Sequence, residues 1–409
     1  MEHLQEKENT SKTTSGILLL GLILLVGINL RTAMLGVPPI LPLLSRDLHL
    51  SYTETGLITS LPTLVMAVAS FPAGKMIERF GERFMVACGL ALLTLGTILR
   101  AVWLAILPLY IFTALLSLGS TFSQTAIPTL TRRWFPKRIG FATALYTDGL
   151  VIGETLGAVL TLPLIAWLGQ GAWPSSFLFW SVPTVLTLVL WLWFAPSSRA
   201  VVSSTPAASG PTQESSLATQ KPGSTRLTLW ALGLLTGCAQ LIYFGTNTWI
   251  PSYNQAIHAP VMTPIALGFL NAAQLPTTLV LTVFADRLVG RRVPFVFAGL
   301  FCLIALGGLL WTPPTLQPLW AAVLGGASIL TFTLGIALPA LLAKREQVAA
   351  WTGTMLALGY TISFIGPFIG GWLWDRLHIP AIAFLPLALA SILIPLLAFV
   401  LPVQRSSPS

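Results

Sequence analysis

The sequence predicts an all-α integral membrane protein: twelve transmembrane helices in two pseudo-symmetric six-helix halves. Three observations predict it. The chain of 409 residues is 55% hydrophobic and only 9% charged, whereas a soluble domain carries roughly a quarter charged residues. It contains twelve mostly apolar stretches of about the 20 residues that a spanning helix needs. The glycine and charge pattern of the first half also returns in the second after a shift of about 213 residues.

The apolar stretches cover approximately 17–42, 52–77, 84–105, 107–131, 139–168, 176–196, 227–250, 262–286, 293–312, 317–342, 350–374 and 380–402. Pro62, Pro128, Pro276 and Pro339 lie inside them. Membrane helices tolerate such prolines because neighbouring groups satisfy the freed backbone. Between the sixth and seventh spans, "SSRAVVSSTPAASGPTQESSLATQKPGSTR" has the composition of a flexible linker. The chain therefore divides into a first half, 1–196, a cytoplasmic linker, 197–226, and a second half, 227–409. The first apolar run is too long for a cleavable signal and lacks a small-residue cleavage site.

Cys88, Cys238 and Cys302 are odd in number, lie in apolar runs and show no metal spacing, so they read as packing residues. No cofactor or metal is expected. The net charge of +9 does not read as nucleic-acid binding, because Lys and Arg sit in short clusters between apolar runs. The expected partners are the lipid bilayer, a small-molecule substrate and protons, with the chain a monomer. With the N-terminus cytoplasmic, 18 of the 22 basic residues fall on the cytoplasmic side; Arg46, Arg100 and Arg376 fall outside and Arg31 within the membrane. This bias predicts a multi-pass protein of the cytoplasmic membrane with both termini inside.

The halves repeat in detail. "GKMIERFGER" (Gly74–Arg83) follows span 2 and "VFADRLVGRR" (Val283–Arg292) follows span 8. Each has an acid-Arg pair, a turn with glycine and a further basic residue. The shift lays Gly140 on Gly353, Gly153 on Gly366, Glu154 on Pro367 and Gly157 on Gly370, as expected of related six-helix units. Twelve spans with such loops resemble the major facilitator superfamily. "GINLRTAMLGVPPILP" in span 1 and "YFGTNTWIPSY" in span 7 resemble its cyanate and 2-nitroimidazole (CynX/NimT) branch. The resemblance implies a substrate site at mid-membrane between the halves. It also implies a cytoplasmic gate at Gly74, Glu78, Arg79, Gly81 and Arg83 and at Asp286, Arg287, Gly290 and Arg291. The glycine spacing of span 5 is similar to an antiporter motif, but Gly153-Glu154 stands where that motif has Gly-Pro, so export is not inferred.

The distribution of polar residues leads to the same division independently. Spans 3, 6, 9 and 12 contain no acid, amide or His, and Arg100 sits at an outer end. The other spans hold Asn29, Arg31, Gln124, Asp148, Glu154, Gln240, Tyr243, Asn247, Asn271, Gln274, Tyr360 and Ser363. Polar groups at membrane depth face a cavity or each other. Spans 3, 6, 9 and 12 are therefore expected at the periphery. Asn29, Arg31, Gln124, Gln240, Tyr243, Asn271, Gln274 and Tyr360 are the candidate substrate-binding residues. Trp249 and Tyr253 read as rings near the outer interface.

Arg31 lies about 22 Å into its helix at 1.5 Å per residue. A charge there costs at least about 2.5–3.5 kcal/mol, and arginine does not usefully shed its proton. It needs an anion, either the substrate or a span-5 acid. Asp148 and Glu154 are about 120° apart around their helix, so they face different surroundings. Glu154 belongs to the Gly149, Gly153, Gly157 ladder, spaced for close helix packing. Loss of water beside such a seam makes Glu154 the better candidate for proton coupling, with Asp148 the second.

The expected function is secondary active transport of a small polar or anionic solute of the cyanate/nitroimidazole class, by alternating access and with proton coupling. The alternative is a proton-driven multidrug or organic-cation antiporter. An enzyme is not expected, since there is no HExxH and no Ser or Cys nucleophile constellation. No phosphate-binding glycine loop supports a primary pump either.

Overall fold

A computed structural model describes residues 2–135, 138–169, 173–196, 222–288, 290–342 and 348–401. Its helices are α1 (Glu2–Leu35), α2 (Leu41–Leu48), α3 (Tyr52–Phe80), α4 (Glu82–Val102), α5 (Ile106–Trp134), α6 (Ile139–Leu168) and α7 (Trp173–Phe194) in the first half. The second half contains α8 (Pro222–Ala256), α9 (Met262–Ala272), α10 (Gln274–Leu288), α11 (Val293–Trp311), α12 (Gln317–Leu342), α13 (Val348–Leu377) and α14 (Leu385–Val400). Among the described residues, 11 helical segments are long and apolar enough to cross a membrane, with α9 and the start of α10 counted as one. The twelfth is α3, whose 29 residues extend about 44 Å.

Two expected spans differ in detail. Span 1 stops early: Pro38 and Pro39 cannot continue the hydrogen-bonded ladder, and the chain restarts as the short α2. Span 8 breaks at Ala273. Pro276 has no N–H for the carbonyl four residues earlier, which accounts for the break. At the linker, 197–221 lie outside the described residues. Residues 222–226 form the start of α8.

Contacts repeat between the halves. Helix α1 packs on α6 and α7 as α8 packs on α13 and α14; α4 packs on α5 and α7 as α11 packs on α12 and α14. Across the halves, α3 packs on α13 and α6 on α9. The apolar core has one cluster around Val26, Leu90 and Leu116, another around Ile242, Leu267 and Leu324, and a smaller third around Ile40, Ile58 and Phe177. The α3–α4 and α10–α11 turns share a conformation too. Gly81 (φ 84°) and Gly290 (φ 83°) both adopt the region where glycine alone avoids a side-chain clash.

Peripheral helices show apolar outer faces, as at Leu178, Val182 and Trp193 of α7 and Leu389, Leu396 and Phe399 of α14. Helix α8 is the most enclosed, 72% buried over its apolar stretch against 33% for α7. The α9–α10 span is buried to the same extent as α7, although its Asn271 and Gln274 are buried in the polar interior.

The bundle has two unlike ends. At the basic end, near the α3–α4 turn, Arg83 Nη2 donates to Leu192 O at 2.9 Å and Arg133 pairs with Glu82 at 3.3 Å, all within the first half. Arg79 lies over the Phe80 ring. Gly74 and Gly353 face open space. At the far end the halves are fastened together. Tyr52 N donates to Asp375 Oδ1 at 2.9 Å and Thr53 N to Oδ2 at 2.7 Å, with the Thr53 hydroxyl on the same oxygen. The Tyr52 and Trp374 rings stack with centroids 3.9 Å apart. An α-helix leaves its first four N–H groups without partners. For α3, Ser51 satisfies the Glu54 N–H in a capping box, and the opposite half satisfies two more.

Candidate functional site

The site begins with the seam between α1 and α6. A Cβ at Gly149 would lie 2.6 Å from Leu24 O, one at Gly27 2.6 Å from Tyr146 O, and one at Gly157 2.9 Å from Gly36 N. At Gly153 it would overlap the Ile28 carbonyl. The backbones therefore touch, as the ladder predicted. This approach sets Arg31 Nε 3.3 Å from Glu154 Oε1, with both side chains almost fully buried. Glu154 Oε2 accepts from Gln274 Nε2 of α10 at 3.1 Å. Glu154 therefore joins both halves.

Arg31 and Glu154 line a cavity of about 60 Å³ with Gln240, Tyr243, Gln274 and Tyr360. A water needs roughly 10–15 Å³ on this measure, so the cavity admits a solute of a few heavy atoms. Gln124 Nε2 donates to the Tyr360 hydroxyl at 3.3 Å, closing the wall between α5 and α13. Tyr243 donates to Asn271 Oδ1 at 2.5 Å, and Asn271 donates to Asn247 Oδ1 at 3.0 Å. Asn271 thus supports the wall from behind. The Arg31 guanidinium also faces the Phe244 ring, 5.7 Å from its centroid.

Pairing with Glu154 leaves much of Arg31 unsatisfied. Its Nε faces Glu154 Oε1, but Nη1 is buried without a hydrogen-bond partner, as is Gln240 Nε2. Buried polar groups are normally hydrogen-bonded. These two atoms are donors, so their side of the cavity suits an acceptor, while Gln124 Oε1 in the α5 wall is left without a donor.

Several expected site residues lie elsewhere. Asn29 is corrected to a packing residue: it donates to Leu25 O and to Thr187 Oγ1 of α7, both at 2.8 Å. It is two positions from Arg31, about 200° of helix, so the two cannot share a face. Asp148 is half-buried on α6 and makes no ion pair with Arg31. Trp249 and Tyr253 are buried, not interfacial. Tyr253 donates to Leu310 O at 3.1 Å, and Trp249 packs against Trp374. Of the expected gate, Gly74, Arg79, Gly81, Arg83, Gly290 and Arg291 lie at the basic end. The side chains of Glu78, Asp286 and Arg287 lie outside the described residues.

Two residues take roles that the sequence did not reveal. Asp375 fastens the far end. Its signal was an acid ending span 11 while span 2 opened on a capping sequence, Ser51 to Glu54. Arg100, expected outside the membrane, is 1% exposed and sits between α1 and α7.

Two helical repeats enclose a small buried charged cavity and, among the described residues, are fastened across one end, an arrangement that suits a membrane transporter. The profile of the Major Facilitator Superfamily matches residues 20–371, and the chain belongs to that superfamily. It is 26% identical to the cyanate transport protein CynX of Escherichia coli, over 85% of this chain and 88% of the relative. It is also 26% identical to the 2-nitroimidazole transporter of Escherichia coli, over 88% of each. Among solved structures, the D-xylose-proton symporter superposes with a TM-score of 0.72 at 13% identity, covering 96% of this chain and 99% of that one. At that identity the likeness concerns the fold alone.

Proposed function

We propose that the protein is a secondary transporter that moves a small anionic or polar solute, of the size and charge of cyanate, across the cytoplasmic membrane. The unpartnered Arg31 Nη1 and Gln240 Nε2, facing a cavity of this size, carry the reading. They favour an anion over the organic cation of an antiporter. The relatives that transport cyanate and a 2-nitroimidazole support the same class. The basic end is cytoplasmic, since Lys and Arg accumulate on that side. The halves, 1–196 and 227–409, rock about the cavity as units of a single monomer.

The arriving anion competes with Glu154 for Arg31. A carboxylate that loses its cation in a dry site becomes costly, and taking up a proton removes the cost. One anion would thus travel with one proton. Glu154→Gln should retain solute binding and lose solute-driven proton movement. The assay uses purified protein in proteoliposomes with an internal pH dye, challenged with cyanate, other small anions, nitroimidazoles and lipophilic cations. Proton movement in Glu154→Gln equal to wild type would remove Glu154 from the coupling.

Alternation requires the far end to open, and Asp375 holds it shut. Removing a cap costs about 1–2 kcal/mol. The N-terminal helix dipole adds to the loss, so Asp375→Ala should shift the balance toward far-end opening by roughly 30-fold for about 2 kcal/mol. Spin labels on the exposed Arg46 and Arg376 positions would read this as a larger long-distance population. An unchanged distance distribution would show that Asp375 is not a latch.

A further inference from the structure

The geometry points to a second anion site, built around Arg100 on the far-end side of Phe244. Arg100 closes the last turn of α4 and is 1% exposed. It carries a permanent charge, yet no carboxylate pairs with it among the described residues. Its Nη2 donates to Ala33 O at 3.0 Å, and the guanidinium lies over Phe177, 4.4 Å from the ring centroid. Its Nε is buried without a partner. A carbonyl and a ring face do not neutralise a buried cation. Burial of an ion without a counter-charge is strongly unfavourable, so the fold leaves a place for an anion.

That place is present. Arg100 lines a cavity of about 20 Å³ together with Thr59, Thr63, Thr113, Asn247 and Thr248. The volume suits one atom-sized ligand. The Thr113 hydroxyl is a second buried group without a partner. The ligand is a small monovalent anion of halide size. Phe244 lines both this cavity and the Arg31 cavity, and Asn247 joins the two through Asn271 and Tyr243. An anion entering at the far end would meet Arg100 first and pass Phe244 to reach Arg31. Only this order of passage rests on the function proposed above; occupancy of the Arg100 cavity does not.

The test uses the full chain and bromide. Bromide would be located by anomalous scattering in crystals, and its affinity measured by bromide NMR line width at constant ionic strength with gluconate as balance. Wild type and Arg31→Gln should both show bromide against Arg100. Arg100→Gln should lose that peak, with affinity there falling at least 10-fold, and Thr113→Val should weaken it several-fold. Wild-type crystals without bromide at Arg100, or equal affinity in Thr113→Val and Arg100→Gln variants and wild type, would overturn the site. If Arg100→Gln does not fold, the wild-type map and Thr113→Val decide. Bromide at Arg100 but absent at Arg31 would leave this site standing and count against the transport reading.

Discussion

Arg31→Ala is expected to abolish solute-driven flux, and the loss should persist when folding is repaired. Two effects have to be separated. The first concerns stability. Removing one member of a buried ion pair costs about 3–5 kcal/mol, because Glu154 would remain buried without its cation, held by neutral donors such as Gln274. The second concerns the solute. Hydrogen bonds to a charged group contribute about 1.5–3 kcal/mol each, and Arg31 offers the unpartnered Nη1 together with the Nε that now faces Glu154. Their loss should weaken solute affinity by roughly 100-fold or more. Arg31→Ala with Glu154→Gln leaves neither charge buried alone. Its yield and melting behaviour should approach wild type while transport stays absent. Arg31→Lys should rescue poorly, since a compact ammonium cannot reproduce the guanidinium fork. The measurement is initial uptake of radiolabelled cyanate into proteoliposomes, normalised to folded protein by size exclusion. Wild-type uptake by the double variant would make Arg31 only the counter-ion of Glu154.

Much of this site was legible in the sequence, for reasons that also mark where legibility ends. Span count, repeat and central helices follow from composition and from where polar residues occur along the chain, and one dimension suffices for those. The choice between substrate and carboxylate as the partner of Arg31 needed the rotation of α1 against α6. The glycine ladder implied that the two helices touch but not at which register. Helical period alone could have excluded Asn29, because residues 29 and 31 point in nearly opposite directions. Trp249 and Tyr253 come late in span 7, where rings commonly face the interface, but α13 and the turn Pro380–Phe384 cover them. Arg100 was hidden for the same reason. Near a helix end an arginine ordinarily reaches water, but Phe177 of α7 and the Ala33 carbonyl enclose this one.

The α1–α6 seam leads to the other large expected effect, at Gly153. A side chain there has no space: its Cβ would overlap the Ile28 carbonyl oxygen, which is helix backbone and cannot rotate aside. Overpacking a well-packed interior costs about 1–3 kcal/mol, occasionally more. The rigid obstacle puts Gly153→Ala at the upper end of that range and Gly153→Val beyond it. The consequence for function is geometric. Pushing α1 away from α6 separates Arg31 from Glu154, which now stand 3.3 Å apart. Gly153→Ala should therefore melt earlier and also transport more slowly per folded molecule. Gly74→Ala is the control for stability, because nothing lies within 4 Å of a Cβ at that position. There the gain in helix propensity, about 0.5–1 kcal/mol, should leave melting unchanged or slightly improved. Thermal unfolding followed by fluorescence-detected size exclusion compares the two. Equal melting of Gly153→Ala and Gly74→Ala would mean that the seam can part without cost, and close backbone contact would no longer explain how Glu154 is held against Arg31.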